Sequence, residues 1–152
     1  MPTISRTAVV DAPVTAVWPV VSDAARLPDW FSFADRVDVV SGSGLGEVRL
    51  QHARFEGRRQ EVDQEVVEFT PERVIAWAHR AERLDGDPAP VRATGVVFRV
   101  ELTAEGGATR VRLAQTLTPA GVGRAVALHL FGAAAIGRTM AESLVRLSRS
   151  LA

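Results

Sequence analysis

Two side chains that could do chemistry, His79 and Gln64, fall in segments that alternate like β-strands. In "RVIAWAHRAE", residues 73–82, one face carries Ile75, Trp77 and His79, while the other face ends in charged residues. An imidazole whose pKa is near ~6.5 can both take up and release a proton at neutral pH. One hypothesis therefore makes His79 a general acid/base, with Gln64 orienting its ring or holding a substrate carbonyl.

Two other interpretations of His79 stay open. The imidazole could line a ligand pocket without doing chemistry, or it could be a core histidine bonded to Gln64 or to a backbone carbonyl. In each case the ring needs a partner, since a buried polar group without one costs about 1 to 3 kcal/mol. His52 lies nearer a predicted hairpin tip, and His129 could cap a pocket mouth or be solvated. The three histidines have no metal-ligand spacing, so we expect no metal and no other cofactor.

Turn chemistry predicts which faces of the central strands point together. The segment "FEG", residues 55–57, fits a three-residue hairpin loop with Gly in the left-handed conformation. The resulting pairs are Leu50 with Val62, Val48 with Gln64 and His52 with Gln60 on the inner face, and Arg49 with Asp63 on the outer face. A two-residue loop would place the apolar face of the first strand against acidic residues, so the three-residue loop is favoured.

Two further turns extend the predicted sheet. A four-residue turn at residues 70–73 gives the pairs Phe69 with Val74, Val66 with Trp77, Gln64 with His79 and, outside, Asp63 with Arg80. A two-residue turn at residues 106–107 gives Leu102 with Val111, Val100 with Leu113, Phe98 with Gln115 and, outside, Glu101 with Arg112. Arg49, Asp63 and Arg80 would then form a ladder of charges on the solvent side.

Helical spacing of apolar residues occurs near both ends of the chain. It covers residues 14–21, where Pro19 predicts a kink or an early end because it removes a backbone hydrogen bond. It returns from about Val122 to the C-terminus, which predicts one long amphipathic helix. Between them, "DAARLPDWFSFADR" is typical of a short, irregular helix followed by an aromatic loop.

Four motifs carry a family resemblance: "DAPVTAVWPVVSDAARLPDW", "GLGEV", "EVVEFTPERVIAW" and "MAESLVRLSRSL". With the order of elements, they resemble the polyketide cyclase/dehydrase and lipid-transport family of the START-like, Bet v 1-like (SRPBCC) superfamily, over essentially the whole chain. The resemblance implies an α+β helix-grip fold in which a curved seven-stranded antiparallel sheet wraps around a long C-terminal helix, with two short helices after strand 1. Residues 1–152 would form one START-like ligand-binding domain. Because the chain lacks Tyr, no mechanism that relies on a phenol can be carried over.

The resemblance also implies a cavity between the sheet and the last helix, which relatives use for apolar small molecules. The expected ligand contacts are Trp30, Phe33, Leu50, His52, Val66, Trp77, His79, Phe98, Gln115 and Met140. The leading hypothesis is that the chain binds a hydrophobic small molecule of polyketide, lipid or aromatic type. The alternative is a polyketide cyclase or dehydratase that uses His79 with Gln64. A third hypothesis is a ligand-free protein-interaction or regulatory module.

Composition limits the other functions. Eighteen basic and 18 acidic residues leave no net charge to attract nucleic acid, and the absence of Cys excludes disulfides and thiolate metal sites. The longest apolar stretch, "AVALHLFGAAAIG", is too short to span a bilayer, and the N-terminus lacks the apolar core of a signal peptide. We therefore expect a cytoplasmic monomer or homodimer without stable membrane insertion. No Arg is predicted to lie inside, which argues against a buried ion pair with a ligand carboxylate.

Overall fold

The computed structural model describes residues 3–89, 93–119 and 132–152. Strand β1 (Thr3–Val10) leads into helix α1 (Val14–Ser22), a 3-10 turn (Ala24–Arg26) and the short helix α2 (Leu27–Trp30). The strands that follow are β2 (Arg36–Ser41), β3 (Val48–Phe55), β4 (Arg58–Thr70), β5 (Val74–Leu84), β6 (Asp87–Pro88), β7 (Ala93–Glu105) and β8 (Ala108–Pro119). Helix α3 (Ala133–Ser150) is the last described element along the sequence. The predicted start of this helix near Val122 lies outside the described residues.

One antiparallel sheet holds all the described strands, in the order β1-β8-β7-β5-β4-β3-β2. The two-residue strand β6 pairs with β5 off this path. Helix α3 packs against β1, β8 and α2, because its buried stripe of Met140, Leu144 and Leu147 repeats at helical spacing. The predicted helix-grip architecture is therefore confirmed, and its described part contains seven longer strands and the short β6.

The pairing of β7 with β8 is as the Gly106-Gly107 turn predicts. The confirmed pairs are Leu102 with Val111, Val100 with Leu113, Phe98 with Gln115 and Glu101 with Arg112. On the outer face, the Nη1 atom of Arg112 lies 3.1 Å from Oε1 of Glu101. The short turn and the alternation of apolar residues agree here, so local sequence alone specifies the register.

The pairing of β4 with β5 follows the prediction only in its middle. Val66 lies opposite Trp77 and Gln64 opposite His79, as predicted. One bulge in each strand, at Val67 in β4 and at Arg80 in β5, shifts the register on either side of these pairs. Phe69 consequently faces Ile75 instead of Val74, and Asp63 faces Ala81 instead of Arg80.

The predicted turn between β3 and β4 is wrong. Phe55 pairs with Arg58 across a two-residue turn, in which Glu56 and Gly57 have φ angles of 52° and 76°. Two positive φ angles are what a type I′ turn requires, although Glu is rarely found at such a position. The one-residue change in loop length turns β3 over, so that its inner and outer faces are exchanged relative to the prediction.

The predicted charge ladder consequently does not form. Arg49 points inside, the carboxylate of Asp63 binds Arg83 instead, and Arg80 pairs with Glu65 at 3.5 Å. Pro19 does not end helix α1 early, because the helix continues to Ser22 and buries Val20 and Val21 behind the proline.

Candidate functional site

A pocket of about 390 Å³ lies between the concave face of the sheet and the first turns of helix α3. Its described lining consists of Ser32, Phe33, Gln51, Arg54, Phe55, Gln60, Val62, His79, Phe98, Gln115, Ala135, Ile136 and Thr139. Of the ten residues predicted to contact a ligand, four are in this set: Phe33, His79, Phe98 and Gln115. Six apolar side chains therefore share the described wall with seven polar ones, which are Ser32, Gln51, Arg54, Gln60, His79, Gln115 and Thr139.

Three adjacent strands position the centre of the pocket wall. Phe98 of β7 lies between β5, which carries His79, and β8, which carries Gln115. The ring of Phe98 is 5.7 Å from the His79 ring and 5.0 Å from the ring of Phe33, which reaches in from the loop after α2. The predicted register of β7 with β8, together with the pairing of β5 with β7, thus places an aromatic ring between two polar side chains.

His79 presents an uncharged imidazole to the pocket. Burial lowers the pKa of His79 from 6.5 to about 4, because the surroundings solvate the charged form poorly. Its Nε2 atom is buried and has no hydrogen-bond partner among the described residues. The ring is therefore neutral at pH 7, and its Nε2 atom is enclosed by the surrounding protein.

Gln64 does not act as the expected partner of His79. Although the two residues are opposite each other in the strand register, the Nε2 atom of Gln64 donates to Oε1 of Gln51 at 3.0 Å. Gln64 is completely buried, and its Oε1 atom has no described partner. Gln51, rather than Gln64, reaches the pocket wall.

Gln115, which also lines the pocket, carries a second buried and unpaired polar atom. The side chain is buried, and its Oε1 atom has no hydrogen-bond partner among the described residues. By contrast, the Nε2 atom of Gln60, which also lines the pocket, donates to the carboxylate of Glu82. Gln115 and His79 are thus the two residues of the wall that leave a buried hydrogen-bonding atom unsatisfied in the described part of the chain.

Four other predicted contacts lie in a densely packed region beside the pocket. Trp30, Val66, Trp77 and Met140 are all buried to 1% exposure or less. The ring of Phe31 joins the two tryptophans, with centroid distances of 5.5 Å to Trp30 and 5.4 Å to Trp77. None of the four borders the described pocket, so their role as ligand contacts stays a prediction.

The expectation that Leu50 and His52 face the cavity is wrong. Because the type I′ turn reverses the faces of β3, Leu50 lies opposite Asp63, and His52 lies opposite Glu61. The Nε2 atom of His52 is 3.1 Å from both Oδ2 of Asp38 and Nη2 of Arg36 at the surface of the sheet. This imidazole belongs to an outer polar cluster and not to the pocket.

A buried arginine occupies the face that these residues were expected to fill. Arg49 is 1% exposed, its Nε atom donates to the carboxylate of Glu47 at 2.5 Å, and its Nη2 atom donates to the carbonyl of Ser22 at 3.0 Å. The guanidinium lies 5.6 Å from the centroid of the Trp77 ring. Sequence reasoning missed this residue, although Glu47 two positions earlier, on the same strand face, is a signal for such a pair.

The described residues offer neither a metal cluster nor a membrane-spanning helix. They contain no group of three or more His, Cys, Asp or Glu side chains that could hold a metal ion. No helix within the described ranges is long and apolar enough to cross a bilayer. His129 lies outside the described residues.

Comparison with known proteins gives a family and a set of similar structures. The model of the polyketide cyclase / dehydrase and lipid transport family matches residues 1–152. An aromatase/cyclase from a Streptomyces species is similar with a TM-score of 0.77 and 17% identity, over 99% of this chain and 93% of that one. A Thermus thermophilus protein has a TM-score of 0.76 and 16% identity, over 99% and 97%. The Aha1 dimer from Colwellia psychrerythraea has a TM-score of 0.68 and 19% identity, over 99% and 96%.

At these identities the structural likeness establishes the fold alone. A comparison of the sequence with curated proteins gave no significant match. The family therefore comes from the match over the whole chain, and the chemistry has to be argued from the pocket.

Proposed function

Because the chain belongs to the polyketide cyclase/dehydrase and lipid transport family, we propose that it binds a hydrophobic small molecule in the pocket beneath helix α3. The observation that carries this proposal is the volume of about 390 Å³ between Phe33, Phe98 and Ile136. Small-molecule sites are concave, partly apolar and typically about 300 to 1,000 Å³ in volume. A volume of this size also supports ligand binding over a ligand-free interaction module.

Catalysis is the alternative, and the position of His79 is the observation in its favour. The imidazole lines the pocket, and the Streptomyces neighbour is an aromatase/cyclase. The environment of the ring argues the other way. A general base works best when its pKa is near the working pH, whereas the pKa of His79 is about 4. Gln64 is held by Gln51 and does not orient the ring. We therefore propose ligand binding as the main function and catalysis as the alternative.

The test is a titration with N-phenyl-1-naphthylamine, an uncharged dye whose fluorescence rises in apolar surroundings. Wild-type protein should bind it saturably. Ile136→Trp should weaken binding at least about tenfold, or about 1.4 kcal/mol, because the larger side chain fills the pocket. Val145→Trp is the matched control, since Val145 lies on the same helix but is 51% exposed. Equal affinities of the two variants, or no saturable binding, would contradict the proposal.

A second readout separates carrier from enzyme. A candidate aromatic ligand should be recovered chemically unchanged after prolonged incubation with the wild-type protein. Product formation that His79→Phe abolishes while dye binding persists would instead establish the cyclase or dehydratase alternative.

A further inference from the structure

We infer that the chain forms a homodimer in which β1 pairs with β1 of a second copy and α3 packs against α3 of that copy. The surface that pairs, called the β1–α3 face below, consists of Ser5, Thr7, Val9, Glu142, Val145 and Arg149. None of these residues lines the pocket beneath α3. The inference therefore goes beyond the proposed function and does not rest on it.

Strand β1 has a free edge. It is the first strand in the order of the sheet, and among the described strands it pairs with β8 alone. Because hydrogen-bonded pairs alternate along an antiparallel ladder, every second residue of β1 directs its N–H and C=O away from β8. Counting from the two-residue turn after Glu105 assigns Ser5, Thr7 and Val9 to this set. Such an edge can accept a further strand.

Helix α3 lies beside this edge. A groove of about 260 Å³ separates the two elements, and its lining includes Thr7, Ala141 and Val145. The guanidinium of Arg6 fills the space in which a Cβ at position 137 would lie, so the helix comes close to β1 at Gly137. A second copy that adds its β1 to this edge would therefore bring its own α3 next to this helix.

Two large apolar side chains are exposed on the β1–α3 face. Val9 is 52% exposed on β1, and Val145 is 51% exposed on α3. Ala141 and Ser148, about one turn before and after Val145, are small and would let a second helix approach closely. A symmetric dimer would cover each valine twice, once in each copy.

A two-fold axis near Thr7 uses all of the free edge. Thr7 would then pair with Thr7 of the second copy, and Ser5 would pair with Val9 in both directions. In this register Arg6 faces Ala8, so no like charges are directly opposite each other. Because Thr7 and Val145 line the same groove, one axis perpendicular to the sheet passes near both.

The charges on α3 indicate a second copy as the partner. Rotation about this axis makes the two α3 helices antiparallel, and Glu142 and Arg149 lie three residues before and four residues after Val145, on the same side of the helix. Glu142 of each copy would consequently face Arg149 of the other. Neither side chain has a partner among the described residues. The 18 basic and 18 acidic residues of the chain also leave no net charge that would repel two copies.

The experiment is sedimentation equilibrium at pH 7. The wild-type protein should be dimeric at concentrations up to about 100 µM, with dissociation on dilution. Glu142→Arg and Arg149→Glu should each weaken the dimer at least about tenfold, because each substitution places like charges opposite each other twice. An equal mixture of the two variants should recover the wild-type affinity, since every charge of one variant then faces an opposite charge of the other.

Val145→Lys and Val40→Lys form a matched pair of variants. Val145→Lys would place two positive charges beside the axis and should make the protein monomeric. Val40 is 63% exposed on β2, the strand at the opposite edge of the sheet. Val40→Lys should therefore leave the dimer unchanged.

The outcomes decide the inference in either direction. A wild-type protein that is monomeric at about 100 µM would overturn it. Dimers that persist in both charge variants, a mixture of these variants that stays monomeric, or dissociation by Val40→Lys and not by Val145→Lys would overturn it as well. Recovery of the dimer in the mixture would support it without relying on any further variant, because misfolded single variants could not recover on mixing.

Discussion

The two ends of the concave face differ in what covers them. Trp77 and His79 are two residues apart on the same face of β5, yet Trp77 is completely buried while His79 borders open volume. Phe31 and the buried stripe of α3 fill the space around Trp77. Ala135 and Ile136, in the first turn of α3, face the space beside His79 and leave it partly empty. The same face of the sheet thus forms part of the packed core around Trp77 and part of the pocket wall beside His79.

Hydrogen bonds hold α3 against the packed end. The backbone N–H of Ser32 donates to Oγ of Ser143 at 2.9 Å, and the Nη2 atom of Arg146 donates to the carbonyl of Pro28 at 2.6 Å. Both bonds connect the later turns of α3 to the segment around α2, which carries Trp30 and Phe31 into the core. The packed end is therefore fixed by polar as well as apolar contacts, and truncations there should be the more damaging.

The largest expected effect is that of Trp77→Ala. Removing this buried ring should lower the free energy of unfolding by about 3 to 5 kcal/mol, because it leaves a cavity in a packed core. Ile136→Ala, at the pocket end, should cost about 1 kcal/mol or less, since the side chain borders volume that is already empty. Guanidinium denaturation of both variants measures the contrast. Similar losses would mean that the two ends do not differ in packing.

Arg49→Met should have the next largest effect. The substitution keeps an aliphatic side chain in the core but leaves Glu47 without its cation, and breaking a buried pair in this way costs about 3 kcal/mol. Adding Glu47→Gln should recover part of the loss, which distinguishes the unpaired charge from lost packing. Urea denaturation at pH 7 provides the measurement. A double variant no more stable than Arg49→Met would show that packing dominates.

The pH dependence from His79 should be smaller. Its pKa is about 4 in the folded protein and about 6.5 when unfolded, so between these values the unfolded chain binds more protons. Its contribution is therefore fully present above about pH 6.5 and is lost as the pH falls toward 4. The loss between pH 7 and pH 5 is about 2 kcal/mol. Urea denaturation of His79→Leu should show a pH dependence weaker by this amount.

His52→Leu is the control for removing a histidine, because His52 lies in the outer cluster with Asp38 and Arg36. This variant should keep the pH dependence that His79 causes. If His79→Leu and the wild type instead respond alike to acid, the imidazole is not held neutral by burial, and the contrast between the pocket wall and the outer surface disappears.

How well the sequence predicts the site also differs from one strand pair to another. Where a short turn and apolar alternation agreed, as at Gly106 and Gly107, the sequence predicted the pairing of Phe98 with Gln115. The middle of the β4–β5 hairpin, which places Gln64 opposite His79, was also predictable. The faces of β3 were not, because the prediction assumed that Arg49 is solvated and that Leu50 is buried.

That assumption failed for a reason that is distant in sequence. Arg49 is buried because Ser22, at the end of α1, and Trp77, on β5, meet its guanidinium there together with Glu47. A rule that considers only cross-strand neighbours cannot include these partners. The two-residue turn at Glu56 and Gly57 has the length that places Arg49 on the inner face of β3.

The sequence by itself determined the order of the elements, the amphipathic last helix, two of the strand registers and the family, because these depend on local periodicity, turn chemistry and motifs. Only the tertiary structure decided which face of β3 is inside, that His52 lies outside, and that open volume adjoins His79 and not Trp77. Those features depend on how the aromatic loop and α3 cover the sheet. The covering is determined by free energies of burial and of charge pairing between residues that are far apart in the chain.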